Sequence, residues 1–255
     1  AGLDDTAAIS ELARAGIGVW QRLDAQGRVQ DLEYNALSVY ERWLHGGPWM
    51  SLETAAIYLG HLLRGAGIPL AAAGEDGQIV GYAEAYAGQE QAPFGRHVHI
   101  AGLISHDDDG SIRRALIDEV IERARSMGAQ RMTISVSSHD TETIAFYQSC
   151  DMHPLAQVGR YTLGAATGQS FYRATEHPDA SPTQIKGWQM TIGRQESARY
   201  HWETLWPALW EIIPEIAQRR THRLHVTASA QEAFVWCQQH LFDPRSADIS
   251  CWSLK

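Results

Sequence analysis

The stretch that decides the fold reads Arg96-His-Val-His-Ile-Ala-Gly-Leu-Ile-Ser-His106, then Asp-Asp-Asp-Gly110, then Ser111-Ile-Arg-Arg-Ala-Leu-Ile-Asp-Glu-Val120. Its first part predicts a strand over 96–106, because β-branched and other strand-forming residues run up to a polar, glycine-containing loop. Apolar residues at helical spacing then predict a helix over 111–127, which Gly128 ends. A further strand is predicted over 131–137. A strand, a crossover helix and a second strand make a unit in which the two strands are parallel.

Upstream of this unit the sequence predicts a hairpin. Strand patterns over 68–73 and 78–87 flank Gly74-Glu-Asp-Gly77, which is a loop of the hairpin type. Hairpin strands are antiparallel, so the expected sheet is mixed, with helices on its faces, and the fold class is α+β. The remaining predicted elements are helices over 5–23 and 34–46, a helix that Ser51 caps, a helix over 141–149 and a strand over 159–164.

The last 70 or so residues suggest a partial repeat of this order. Arg131-Met-Thr-Ile-Ser-Val-Ser resembles Arg223-Leu-His-Val-Thr-Ala-Ser. Pro178 and Pro182 mark a boundary between the two parts, and six of the nine tryptophans follow residue 165. We therefore predict a first domain over 1–174 and a truncated copy over 184–255. The copy would contain strands over 188–193, 223–228 and 247–253 and helices over 200–220 and 230–240.

Composition excludes several classes of protein. The 255-residue chain has 21 basic and 30 acidic residues, a net charge of −9, which argues against general binding to nucleic acid or to an acidic membrane. No apolar run is long enough to span a bilayer, and no signal peptide is recognisable. Three cysteines without a C-x-x-C pair, and sparse histidines, predict neither a disulfide framework nor a metal site. A cytoplasmic location is the default expectation.

Several motifs together resemble the GCN5-related N-acetyltransferase (GNAT) superfamily. The hairpin reads Gly77-Gln-Ile-Val-Gly-Tyr-Ala-Glu84, similar to the family's d-G-x-i-V-G-x-a. Ile104-Ser-His-Asp-Asp-Asp-Gly-Ser-Ile-Arg-Arg-Ala-Leu116 stands where the family has V-x-P-x-x-R-G-x-G-x-G/A. Asp140-Thr-Glu-Thr-Ile-Ala-Phe-Tyr147-Gln-Ser-Cys-Asp-Met152 resembles N-x-x-A-x-x-x-Y-x-x-x-G-F. The resemblance covers about 50–165 well and 184–255 weakly, and it implies the GNAT fold with a partial C-terminal repeat.

The resemblance implies that acetyl-CoA binds at the strand, loop and helix quoted first. The strand would splay at Gly102, Leu103 and Ile104, so that a backbone N–H holds the thioester carbonyl, and Gly102 suits a bulge or a close approach. The helix N-terminus would bind the diphosphate through the following residues of the loop and first turn: Asp109, Gly110, Ser111, Ile112 and Arg113. The chain departs from the family there, since aspartates replace the Arg-Gly pair and would repel a diphosphate. An aspartate that simply caps the helix is the alternative.

Three residues are candidates for the chemistry. Tyr147 matches the position where the family often has a tyrosine that protonates the departing thiolate, and it could equally be a packing residue. Glu84 lies between Tyr82 and Tyr86 on alternating strand positions and could be a general base or a solvated surface residue. His99 could be a base near neutral pH or an ordinary, half-exposed strand histidine.

The implied activity is acetyl transfer from acetyl-CoA to a primary amine on a small molecule or peptide, by direct attack on the thioester. The alternative is a catalytically inactive GNAT-fold protein that binds or regulates. The aromatics Trp43, His45 and Trp49 flank Gly46-Gly47-Pro48. They could shape an amine pocket, although core packing is the favoured interpretation.

Overall fold

A computed structural model of the chain describes residues 1–24, 26–89, 93–106, 110–157, 162–164, 171–177, 189–190, 213–218, 220–229, 231–240 and 246–253. The helices in these ranges are α1 (Thr6–Arg14), α2 (Val39–Trp43), α3 (Leu52–His61), α4 (Ser111–Ser126), α5 (Thr141–Ser149) and α6 (Pro214–Ala217). The strands are β1 (Gln21–Leu23), β2 (Val29–Asp31), β3 (Ile68–Ala73), β4 (Ile79–Gln89), β5 (Arg96–Ser105), β6 (Arg131–Ile134), β7 (Arg173–Glu176), β8 (Gln189–Met190), β9 (Thr221–Ala228), β10 (Gln231–Gln239) and β11 (Ala247–Ser253).

The predicted mixed sheet is confirmed. Its strand order is β3-β4-β5-β6, with β3, β4 and β5 antiparallel and β5 parallel to β6. Helix α4 is the crossover between the two parallel strands, as the connection from β5 to β6 requires. The α+β class and the GNAT arrangement of mixed sheet and helices are therefore correct.

Each face of this sheet has its own core. On one face, Ile9 of α1 and Leu59 of α3 are fully buried with Tyr82 and Tyr86 of β4. On the other face, α4 buries Ile117 and its neighbours against Ala83, Ala85, Val98 and Ile100. Because side chains alternate along a strand, Glu84 lies on the same face as Tyr82 and Tyr86, toward α3.

The element bounds agree with the predictions in the middle of the chain and differ near its start. Helix α3 follows Ser51, whose Oγ accepts the N–H of Thr54 at 3.4 Å, and α4 is followed by Gly128 at φ +69°. The helix predicted over 5–23 is wrong beyond Arg14, because Gly16 and Gly18 stop it and β1 then pairs with β2. The helix predicted over 34–46 is a 3₁₀ turn followed by α2.

The helix predicted over 230–240 is also wrong. Residues 231–239 are β10, the centre of an antiparallel sheet of order β7-β9-β10-β11-β8. The apolar run from Ala233 to Cys237 fits a helix or a strand, and the burial of Phe234 and Trp236 follows strand alternation. A tight turn at Ser229, with φ +56°, joins β9 to β10. The β-α-β order expected over 223–253 is therefore absent.

The other C-terminal predictions fall mostly outside the described residues. Residues 162–164 belong to no strand, residues 189–190 form β8, and residues 214–217 form α6. The division into 1–174 and 184–255 stays a prediction, to which the structure adds that β7, at 173–176, pairs with β9. Among the described residues, no helix has both the length and the apolar character needed to cross a bilayer.

Candidate active site

A gap opens beside β5. Its pairing with β6 runs from His97 with Arg131 to Ile100 with Ile134 and then stops, whereas its pairing with β4 continues to Ser105. Within the described residues, β5 from Ala101 to Ser105 is thus paired along one edge only. We call this unpaired stretch of edge the gap, and the splayed strand that the resemblance implied there stays a prediction.

Hydrogen-bond alternation decides which backbone groups face the gap. The N–H of His106 donates to the carbonyl oxygen of Val80 at 3.0 Å, which directs it toward β4. Successive N–H groups of a strand point to opposite edges, so those of Ile104 and Gly102 also point toward β4. The N–H groups of Leu103 and Ser105 point toward the gap. If a backbone N–H of this stretch holds the thioester carbonyl, as the resemblance implies, it is that of Leu103 or Ser105.

A β-bulge at Gly102 marks the start of the gap. The register shifts between Glu84, which pairs with Gly102, and Ala85, which pairs with Ile100. A Cβ added to Gly102 would lie 3.1 Å from Cγ of Glu84. The bulge predicted for Gly102 is confirmed, and the absence of a side chain there makes room for Glu84.

The Glu84 carboxylate is buried and surrounded by aromatic donors. The hydroxyl of Tyr58 donates to Oε1 at 2.8 Å, and the indole Nε1–H of Trp49 donates to Oε2 at 3.1 Å. The hydroxyl of Tyr82 donates to Oε2 at 3.4 Å, and the hydroxyl of Tyr86 lies 3.4 Å from Oε1 and is hydrogen-bonded to the hydroxyl of Tyr58. We call these five residues the Glu84 cage. A carboxylate has about four acceptor positions, and three protons can be donated to them at once, because one phenol proton bridges Tyr58 and Tyr86.

The phenols of the cage hold their protons firmly. Burial, followed by the neighbouring charge of Glu84, raises the pKa of Tyr58 and of Tyr82 well above its ordinary value. Both hydroxyls are therefore donors throughout the neutral range. The surface alternative for Glu84 is wrong, since only 9% of the residue is exposed. Its role as a base stays a prediction, and a substrate would have to displace one of the aromatic donors to reach it.

His99 lies on the same strand as the gap but is fully buried. Its Nδ1 is 3.0 Å from Oγ1 of Thr133, the residue of β6 that pairs with it. His99 is thus held between β5 and β6 where the two strands are still joined. The half-exposed strand histidine that we considered is wrong, and a role in catalysis remains a prediction.

Tyr147 lies on α5 and packs in the core on the α4 face, with 9% of the residue exposed. Burial raises the pKa of Tyr147 from 10.0 to about 12, against an opposing effect of the Arg113 charge. Within the described residues its hydroxyl makes no hydrogen bond. Tyr147 is both a packing residue and a protonated phenol, so the two interpretations we left open are compatible.

The N-terminus of α4 depends on Gly110. Gly110 is the N-cap at φ +75°, and a Cβ there would lie 2.9 Å from Cε2 of Phe146. The Arg113 guanidinium stacks on the ring of Phe146 at 4.5 Å from its centroid. Ser111 and Ile112 begin the helix, while Asp109 lies outside the described residues. The first turn of α4 thus carries a cation, Arg113, close to the Gly110 cap.

The aromatics around Gly46-Gly47-Pro48 are packing residues, as favoured. Trp49 is buried between Tyr58 and Tyr82, with ring centroids at 5.2 and 4.8 Å, and Trp43 packs against the same core. His45 lies beside the Trp20 ring at 4.8 Å. In the part of the chain that the structure describes, no group of three or more His, Cys, Asp or Glu side chains is placed to hold a metal.

The family model described as "Acetyltransferase (GNAT) family" matches residues 32–152. Residues 32–152 are a GNAT domain. The match contains the gap, the Glu84 cage, Tyr147 and the start of α4, and it ends before the C-terminal sheet. No curated protein is similar enough in sequence to count as a relative.

Several solved structures resemble the chain. An aminoglycoside 6'-N-acetyltransferase from Acinetobacter haemolyticus is 13% identical, with 65% of this chain and 97% of that chain covered and a TM-score of 0.44. An acetyltransferase from Trypanosoma brucei is 16% identical, with 64% and 96% covered and a TM-score of 0.42. A transcriptional regulator from Bacillus halodurans C-125 is 12% identical, with 64% and 96% covered and a TM-score of 0.44. At these identities and scores the likenesses add nothing to the family match.

Two residues of the GNAT domain's site were not identified as Glu84 partners from the sequence. Tyr58 lies among the apolar positions of α3, where a tyrosine is expected to be a core packing residue, and Trp49 precedes that helix. The available signal was the burial expected for that helix face, since a buried phenol or indole needs an acceptor. A buried carboxylate on the facing strand is the acceptor that this rule requires.

Proposed function

We propose that the GNAT domain transfers an acetyl group from acetyl-CoA to a primary amine. The observation that carries the proposal is the gap beside β5, where the N–H groups of Leu103 and Ser105 face away from β4. Backbone donors fixed at such a position stabilise the negative charge that develops on a carbonyl oxygen during acyl transfer.

The residues around the gap are chemically suited to acetyl-CoA. The exposed edge of β5 could pair with the amide groups of the pantetheine arm, as an added strand would. The first turn of α4 and the Arg113 guanidinium would hold the diphosphate, since a helix N-terminus and a cation both favour an anion. Gly110 keeps the cap free of a side chain. Bound there, acetyl-CoA would supply an acetyl group already activated as a thioester.

Protons then have to move at two places. Tyr147 is protonated at neutral pH and would donate to the sulfur as the C–S bond breaks, which stabilises the leaving thiolate. The amine would lose a proton to Glu84 or to His99, either directly or through water. Because Glu84 is already enclosed by donors, a water chain from the cage is the simpler route for it.

Thermal unfolding of the whole protein with and without acetyl-CoA tests the proposal. Ligand at 100 times its dissociation constant adds about 2.7 kcal/mol of stability, which for a chain of this size raises the midpoint by roughly 5–10 °C. Release of free CoA with a panel of amines tests the transfer itself. Tyr147→Phe should lower turnover by about 10- to 100-fold without weakening acetyl-CoA binding, as loss of one donor to the leaving group predicts. No stabilisation at millimolar acetyl-CoA would refute the proposal.

A second candidate function is that of a catalytically inactive GNAT domain that still binds an acyl-CoA. One observation favours this alternative: both candidate bases, Glu84 and His99, are buried and held by neighbouring side chains. The two functions separate cleanly, because a binding protein would show the shift in midpoint and release no CoA with any amine.

A further inference from the structure

Helix α3 is apolar on two opposite sides, of which only one is covered. The inner side packs on α1 and β4 and is at most 1% exposed at Ala55, Tyr58 and Leu59. The outer side carries Leu52, which is 53% exposed, and Leu63, which is 42% exposed and lies in the helical turn Leu62–Ala66 that continues α3. A helix that is apolar all round is normally buried all round. The apolar composition of α3 therefore indicates a second cover, which the described part of the chain does not supply.

The apolar residues of the outer side form one continuous surface. Leu52, Ala56, Gly60 and Leu63 recur every three or four residues, which places them on the same side of a helix. Leu3, in the turn before α1, lies over the glycine: its Cδ2 is 3.7 Å from the position that a Gly60 Cβ would take. Leu3 is itself 59% exposed. We call these five residues the α3 stripe.

Helix α4 shows what a helix of this protein has on a side that faces water. Its exposed positions include the charged residues Arg114, Asp118, Glu119, Glu122 and Arg123. Between Glu53 and Arg64, by contrast, α3 and its continuation contain no Asp, Glu, Lys or Arg. Single exposed leucines are ordinary, whereas a contiguous apolar surface marks a site of interaction. The α3 stripe is therefore an interaction surface rather than an ordinary solvated helix face.

Two residues of opposite charge bound the α3 stripe. Glu53 lies in the first turn of α3 and Arg64 at the other end; both are exposed, and neither forms an ion pair with a described residue. About three turns of helix separate them, so they lie on the same side of the stripe. A two-fold axis between Ala56 and Gly60 would bring Glu53 of each copy to Arg64 of the other, with the helices antiparallel. The surface is thus complementary to itself in charge.

We propose that the α3 stripe is the interface of a homodimer in which the two α3 helices pack antiparallel. Ala56 and Gly60, at its centre, let the two helices approach closely, since the distance between packed helices depends on the side chains at the contact. One helix pair is a small interface, so the dissociation constant should be on the order of 1–100 μM. Tyr58 of the Glu84 cage lies on the other side of α3, and dimerisation is independent of the proposed acetyl transfer.

Sedimentation velocity of the full chain, from about 0.5 to about 200 μM, tests the interface. We expect the wild type to pass from monomer to dimer over this range. Ala56→Glu places a charge at the centre of the stripe, where the dimer would bury it, and should weaken dimerisation by about tenfold or more. Ala115→Glu, at an exposed alanine of α4, is the matched control and should dimerise like the wild type. A wild type that stays monomeric throughout, or a dimer that Ala56→Glu leaves unchanged, would overturn the proposal.

Charge reversal tests the antiparallel arrangement. Glu53→Arg and Arg64→Glu each place like charges at both ends of the interface, so either variant alone should dimerise about tenfold more weakly at low salt. Mixed in equal amounts, the two variants should form a heterodimer about as tightly as the wild type, because opposite charges then meet at both ends. Such a recovery on mixing also shows that both variants are folded. A mixture that associates no better than the separate variants contradicts the antiparallel pairing of two α3 helices.

Discussion

Glu84 is the residue at which three parts of the GNAT domain meet. Trp49 reaches it from the turn before α3, Tyr58 from α3 itself, and Tyr82 and Tyr86 from its own strand. A buried charge is costly unless donors surround it, and removing one partner of such a network costs more than the network contributes in total. The cage therefore ties the helical layer to the sheet at the bulge.

Glu84→Gln tests this structural role. The amide nitrogen would face phenol or indole donors instead of accepting from them, so at least one hydrogen bond is lost and a donor is left unpaired. We expect a loss of about 1–3 kcal/mol in the free energy of unfolding, measured in urea. Glu119→Gln, on the exposed face of α4, is the matched control and should change stability by less than about 1 kcal/mol. Equal small effects in both variants would show that the cage does not carry stability.

The raised pKa of Tyr147 predicts a loss of stability at high pH. The pKa is 10.0 in the unfolded chain and about 12 in the folded protein. Between these values the unfolded chain releases the phenolic proton while the folded protein keeps it, so stability falls as pH rises. Tyr58 and Tyr82 shift in the same direction. Urea unfolding of wild type and Tyr147→Phe between pH 9 and 11 should give the variant a shallower decline, by about 1.4 kcal/mol per pH unit above 10. Parallel declines would contradict the shift.

The correct predictions for single residues of the site rest on the alternation of side chains along a strand. Tyr82, Glu84 and Tyr86 share a face because the side-chain period of a strand is two, and that placement was correct. Their partner Tyr58 lies more than twenty residues away from each of them in the sequence. No local pattern reports a contact of that separation, since it depends on how helices pack on the sheet. The contacts of Glu84 with Tyr58 and Trp49 could therefore not be predicted from the sequence.

At the scale of elements, the start of α4 depends on one glycine for two reasons. Gly110 has φ +75°, which strains any L side chain, and its Cβ position lies 2.9 Å from Phe146. Gly77 in the β3–β4 turn has nearly the same backbone angle, φ +79°, with no described atom within 4 Å of a Cβ. Comparing Gly110 with Gly77 therefore separates the cost of backbone strain from the cost of steric overlap.

Gly110→Ala should therefore cost more than Gly77→Ala. We expect about 1–2 kcal/mol of unfolding free energy for Gly77→Ala from the left-handed backbone alone. Gly110→Ala should exceed that value, because Phe146 and the Arg113 side chain stacked on it must also move. Acetyl-CoA binding, measured through the rise in unfolding midpoint that it causes, should weaken in Gly110→Ala and stay unchanged in Gly77→Ala. Equal effects on stability would mean that Phe146 moves without cost.

Helices and strands were predicted accurately where glycines mark their ends and wrongly where no such residue does. Gly74 to Gly77 and Gly128 bound β3, β4 and α4 correctly. The turn at Ser229 has no glycine and no Asn-Gly pair, and the apolar run after it fits both helical and strand periods. Only the neighbouring strands β9 and β11 decide that residues 231–239 are a strand, and that information is tertiary.

For the whole molecule, the described strands beyond the β1–β2 hairpin form two sheets that share no strand. The four-stranded sheet lies within the GNAT match, whereas the five-stranded antiparallel sheet lies outside it. Each has its own buried residues, with Val98 and Ile100 in the first and Phe234 and Trp236 in the second. We therefore interpret the chain as two folding units, and only the first would bind acetyl-CoA.

Differential scanning calorimetry of the full chain tests this division. We expect two transitions, of which acetyl-CoA raises only the one that belongs to the GNAT domain. Phe234→Ala removes a fully buried ring from the second sheet. It should lower the midpoint of the other transition, because it costs about 3–5 kcal/mol of unfolding free energy. Gly110→Ala should lower the acetyl-CoA-sensitive transition instead. A single transition that both variants lower and acetyl-CoA raises would mean that the two sheets unfold together, and the second sheet would then be part of the acetyltransferase unit rather than an appendage to it.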